Sequence, residues 1–192
     1  LNNVKKIPVS ILSGNKQVIS SDYLASESLV KLNFSQSKSV NLLASPDCLE
    51  DLFIGHLISE GYLNPSCHLN PKQVNVERDK NGTICISYTE SLELSREVSA
   101  EKPVSTSCGA CNNDSLELLI ANLPLVEKRQ SNLSLNLLNQ GFDSMKLSQN
   151  GFKTTGGMHC CGLLKLSGEF IIAREDIGRH NAVDKLIGAS IY

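Results

Sequence analysis

Polar and apolar positions alternate early in the chain. "KIPVSIL" and "SLVKLNF" keep the period of two that a half-buried strand needs, and "SVNLLAS" follows them. The period then lengthens. In "SPDCLEDLFIGHLISEGYL", Leu49, Leu52, Phe53 and Leu57 recur at helical spacing and form one apolar stripe. Ser45 is placed to cap this helix, Pro46 suits its first position, Asp47 its positive end, and Gly61 its stop. His56 lies on the same stripe and reads as a packed side chain. Alternation returns in "VNVE" and "TICISYT", on either side of "RDKNG", where Asn81-Gly82 predicts a hairpin. Cys85, inside the second of those strands, reads as core filler. Cys48 and Cys67 have no partner at metal-ligand spacing and read as structural.

A second part begins near Val104. In "DSLELLIANL", Asp114 can cap a helix and Glu117 can return the bond, with Leu116, Leu119, Ile120 and Leu123 facing inward. A further helix fits "LNLLNQGFDSMKLSQ", where Leu135, Leu138, Phe142 and Met145 recur and Asn150-Gly151 is its stop. Gly141 weakens or splits it. "GLLKL" and "EFIIARED" read as paired strands around Ser167-Gly168. A last helix starts near Arg179, with Ala182, Val183, Leu186 and Ile187 inward. The fold class is mixed α/β (α+β), with a strand-rich domain over residues 1–103 and an α/β domain over 104–192.

Composition narrows the function classes. Hydrophobic residues make up 41% of 192 and charged residues 20%, with a net charge of −2. There is no run of Lys or Arg, which argues against nucleic acid as a partner. No apolar stretch approaches a bilayer span, so no membrane is expected. The first residues lack the apolar core and cleavage site of a secretory signal. Seven cysteines, unevenly spread, read as reduced thiols of a cytoplasmic protein.

Three clusters carry chemistry. "STSCGACNNDS" places Cys108 and Cys111 in a loop before a predicted helix N-terminus, whose amides and dipole stabilise a thiolate. Half a zinc site and a redox pair are the alternatives. A closed zinc site needs a second ligand pair, and adjacent Cys160 and Cys161 are poorly arranged to supply one, so no bound metal is expected. A thioredoxin-like pair needs a βαβ setting that the chain does not offer. "TTGGMHCCG" offers Gly156-Gly157, where backbone can approach a phosphate, though spacing alone favours a plain turn. "REDIGRHNAVDK" puts Asp176, Arg179, His180 and Asn181 where a strand meets a helix. In open α/β sheets ligands bind at such an edge, and there the second and third clusters would share a pocket. On its own this run also reads as a surface loop.

Taken in order, "TSCGAC", "TTGGMHCCGL" and "AREDIGRHNAVDKLIG" resemble the FdhD/NarQ family of formate dehydrogenase accessory proteins. The upstream "SPDCLEDLFIGHLISEGYL" is similar to that family's N-terminal helix segment, so the likeness runs from about Glu27 to Gly188. The resemblance implies a sulfur carrier. Such proteins accept persulfide sulfur from a cysteine desulfurase on the cysteine loop, here Cys108 and Cys111, where reach into the donor enzyme favours the outer Cys108 as carrier and leaves Cys111 as a resolving or assisting thiol. They pass it to the molybdenum cofactor, molybdopterin guanine dinucleotide, as a transient substrate before it enters formate dehydrogenase. It also implies a homodimer and a cytidine-deaminase-like C-terminal domain. His159 joins Gly156, Gly157, Asp176, Arg179, His180 and Asn181 as implied cofactor contacts. The deaminases' zinc signature is missing, so deamination is not expected. Asn112 stands where the family has glycine, and Cys160 and Cys161 where it has small residues. The family continues beyond "DKLIGASIY", so a truncated form, a fragment or an incomplete record is expected. The alternative function is a non-catalytic module that binds a nucleotide or partner without relaying sulfur.

Overall fold

The computed structural model describes residues 3–35, 38–63, 69–94 and 134–191. Cys67, the cysteine loop with Cys108 and Cys111, and the helix expected over "DSLELLIANL" lie outside the described residues. Among the described residues, eight strands form three sheets. β1 (Val4–Ser13) and β2 (Lys16–Ala25) make an antiparallel ribbon. β3 (Ser28–Asn33), β4 (Ser39–Ala44), β5 (Val74–Arg78) and β6 (Ile84–Tyr88) form a sheet ordered β4-β3-β6-β5. β7 (His159–Leu164) and β8 (Phe170–Asp176) form a second hairpin. Among the described residues, β3–β6 is the one parallel pair. The helices are α1 (Leu49–Ser59), α2 (Leu135–Ser148), α3 (Asn150–Thr155) and α4 (Arg179–Ala189).

The core lies between the four-stranded sheet and α1. Alternation puts Val30, Leu32, Ile84 and Ile86 on one sheet face, where Leu52, Phe53, Ile54 and Leu57 of α1 cover them. Each fully buried side chain of this kind contributes about 1.5–3 kcal/mol. Cys85, by the same alternation, points to the other face, so it does not fill this core.

α1 is buried on more than its apolar stripe. Asp51, Gly55 and His56 are buried as well, because α4 packs on the side away from the sheet. The two helices approach through glycines. A Cβ on Gly55 would lie on the Asp184 carbonyl, and one on Gly188 would lie on the Asp51 carbonyl.

Three expectations are corrected. Ser45 does not cap α1: the cap position is Cys48, in the left-handed region at φ 46°, and Ser45 is bonded elsewhere. Asn150-Gly151 does not stop the helix before it. α2 ends at Ser148, Gln149 breaks the run, and Asn150 opens α3. Val183 is 44% exposed, while Asn181, Asp184 and Lys185 share the buried face of α4 with Ala182 and Leu186.

Candidate functional site

Register places the second and third clusters at one end of the β7–β8 hairpin. His159, the first residue of β7, pairs with Asp176, the last of β8. Gly156 and Gly157 lead into β7, while Ile177 and Gly178 lead from β8 into α4. Gly156, Gly157, His159, Arg179 and His180 are all exposed there, and form a rim. Among the described residues the setting is an antiparallel hairpin end rather than the edge of an open parallel sheet.

The rim glycines already use their amides. Gly156 sits at φ 66°, which favours glycine, and its N–H donates to the Phe152 carbonyl to end α3. The Gly157 N–H donates to Thr155 Oγ1 at 3.2 Å. They offer clearance at the rim, where a Cβ on Gly156 would meet nothing within 4 Å. Arg179, in the first turn of α4, brings an exposed cation to the rim.

Asp176 and Asn181 lie beneath the rim, in a buried ionic network. Lys185 is fully buried, and its ammonium is 2.7 Å from Asp176 Oδ2 and 2.8 Å from Asp47 Oδ1. It also donates to the carbonyls of Ser45 and Glu175. Asp176 Oδ1 accepts from the Gly178 N–H at 2.8 Å and from Asn181 Nδ2 at 3.1 Å. Asn181 Nδ2 also donates to the Leu43 carbonyl at 2.7 Å. Both carboxylates beside Lys185 are therefore engaged, as burial of charge requires.

Arg174, Glu175 and Asp184 of "REDIGRHNAVDK" are also bonded inward. Arg174 Nε donates to Asp51 Oδ2 at 2.6 Å. Glu175 accepts from the Gly151 and Phe152 N–H groups at 2.8 Å each, which caps α3 from outside. Asp184 contacts His56 Nδ1 at 2.9 Å and accepts from Ser59 Oγ at 2.6 Å. Sequence reading missed Ser45, Asp47 and Asp51 as members of this cluster, and gave Lys185, inside the quoted run, no role of its own. The partners of the first three lie more than a hundred residues away, so no local pattern announces them.

The cysteines of β7 lie on opposite faces of their strand. Burial, then the Glu175 carboxylate, push the Cys160 thiol up to about 11, against a lowering bond from Gln149. Burial also raises Cys161 and, through a balance of nearby charges, Cys48. Among the described residues, no cluster of His, Cys, Asp or Glu could hold a metal ion. No described helix is long and apolar enough to cross a membrane. A separate apolar groove of about 130 Å³ lies between α2 and the hairpin, floored by Gly141 and Gly162.

A protein-family model described as the FdhD/NarQ family matches residues 25–192. Among curated proteins, one named sulfur carrier protein FdhD from Bordetella bronchiseptica is 30% identical over 171 residues, 88% of this chain and 61% of its own length. A protein of the same name from Shewanella oneidensis is 31% identical over 183 residues, 94% of this chain and 64% of its own. The chain thus spans about three fifths of the length of these relatives. A crystal structure from Desulfotalea psychrophila, described as a formate dehydrogenase accessory protein, is similar with a TM-score of 0.65 and 20% identity. It covers 98% of this chain and 69% of that one, a likeness of fold.

Proposed function

The chain belongs to the FdhD/NarQ family, and from that premise we propose that it is a sulfur carrier for formate dehydrogenase maturation. It takes persulfide sulfur from a cysteine desulfurase and passes it to a molybdenum cofactor, the bis-molybdopterin guanine dinucleotide. The match over residues 25–192 carries this reading, because it spans the cysteine loop and both later clusters. The raised thiols of Cys48, Cys160 and Cys161 support it too, since neutral thiols are poor sulfur acceptors.

The relay balances on the two loop cysteines. The Cys108 thiolate attacks the outer sulfur of the desulfurase persulfide. One S–S bond forms, another breaks, and the desulfurase cysteine leaves as thiolate. At the cofactor, the Cys111 thiolate attacks the inner sulfur of the Cys108 persulfide. A Cys108–Cys111 disulfide forms and hydrosulfide departs toward the molybdenum. The two electrons that sulfide carries are those the cysteine pair loses, and a dithiol reductant resets the pair. The cofactor is substrate here, and its guanine dinucleotide is assigned to the rim. Arg179 and His180 face its phosphates, His159 lies beside them, and Gly156 and Gly157 give clearance. Asp176 and Asn181 act from below. The same reading places the chain in the cytoplasm as a homodimer.

Incubation with a cysteine desulfurase and cysteine tests this function. The carrier acquires sulfur that a thiol reductant releases as sulfide. A chain that binds guanosine diphosphate yet acquires no sulfur is instead a binding module, and the carrier reading fails.

A further inference from the structure

Ser45 lies 131 residues before Asp176, outside every cluster the sequence singles out. It is fully buried. Each of its polar groups is engaged with the C-terminal motif. Its N–H donates to Asp176 Oδ2 at 3.0 Å. Its hydroxyl oxygen accepts from the Ile177 N–H at 3.0 Å. Its carbonyl accepts from Lys185 Nζ at 3.1 Å. Ile177 and Gly178 are the residues between β8 and α4. The Gly178 amide is held by Asp176, and the Ile177 amide by Ser45. There is little slack around them: a Cβ on Gly178 would stand 2.8 Å from Asn181 Nδ2.

We propose that Ser45 is a positioning residue of the rim. Through Ile177 and Asp176 it sets where α4 begins, and so where Arg179 and His180 stand. This rests on the reading of the rim as the ligand-facing surface. Ser45 touches no ligand itself. It acts because a part-buried amide without its acceptor would draw the turn toward water. The N-terminal half of the chain thereby sets the geometry of a site built from C-terminal residues.

Hydrogen exchange and a nucleotide titration test it together. In Ser45→Ala the Ile177 amide loses its acceptor, while the backbone bonds of residue 45 remain. Its exchange should rise about three- to tenfold, the range a single net hydrogen bond spans. The Ile86 amide, in an interior strand, should keep its wild-type rate. The Kd for guanosine diphosphate should rise by a similar factor. Ser45→Gly removes the same acceptor without a methyl group and should behave alike. Unchanged exchange at Ile177 overturns the proposal. So does equal acceleration at Ile86, which marks a general loss of stability. Local loosening with an unchanged Kd also overturns it. A wild-type chain that binds no guanosine diphosphate overturns the ligand reading instead, and the exchange rates alone then decide whether Ser45 holds the turn.

Discussion

Cys160 sits one residue after an implied contact, His159, yet its surroundings disarm it. With its thiol pushed up to about 11, about one molecule in ten thousand carries the thiolate at pH 7. Alkylation with iodoacetamide, read at the Cys160 peptide, should therefore quicken about tenfold per pH unit from neutrality to about pH 10. A plateau below pH 9 would contradict this. Lys185 gives a second residue-scale prediction. Its fully buried ammonium pairs with Asp176, also fully buried, and with Asp47, whose side chain is part-exposed. Lys185→Met leaves Asp176 charged, buried and unpaired, so urea unfolding should show a loss of about 3–5 kcal/mol. A loss below about 1 kcal/mol would mean that the network relaxes around the gap. The polarity of "REDIGRHNAVDK" was legible in the sequence as a cluster. Its burial was not, because Asp47, Asp51 and His56, which satisfy it, belong to another stretch of chain.

Element existence was readable where one periodicity ruled. The strands over "KIPVSIL" and "SLVKLNF", the long helix and the Asn81-Gly82 hairpin all appear near their expected places. β2 was not read, because "KQVISSDYLA" breaks alternation with two serines, and its ten residues are held by ladder bonds to β1. The apolar stripe of α1 was readable, but its second buried side was not. Glycine and two polar residues line that side, and hydrophobicity gives no sign of it. α4 hides its inner face for the same reason, since Asp184 and Lys185 are buried there by ionic partners. The contact between these helices is the sharpest element-scale test. Gly188→Ala forces a methyl group onto the Asp51 carbonyl, with backbone on both sides. Thermal and urea unfolding should show a loss of about 3 kcal/mol or more. An unchanged midpoint would mean that the helices do not meet this closely.

At the scale of the molecule, the two halves of the sequence share one ionic interior. Residues 43–59 supply acceptors and charges to residues 174–185, and α1 carries the main sheet on one side and α4 on the other. The rim at the hairpin end is held by that interior. It is an exposed, Arg-bearing surface, which the proposed function assigns to the phosphates of the cofactor. The sulfur chemistry is assigned to the cysteine loop, because Cys160 and Cys161, beside the rim, are held as neutral thiols. The proposed relay makes Cys108 the carrier, because a carrier must reach into a desulfurase and then a cofactor site, and in the sequence Cys108 stands further from the helix expected after the loop. Intact-mass spectrometry after incubation with desulfurase and cysteine tests this most directly. The wild-type chain and Cys111→Ala should each gain the mass of one sulfur atom, and Cys108→Ala should gain none. If Cys108→Ala still loads while Cys111→Ala does not, the roles are reversed. If both variants load fully, the loop is not the carrier.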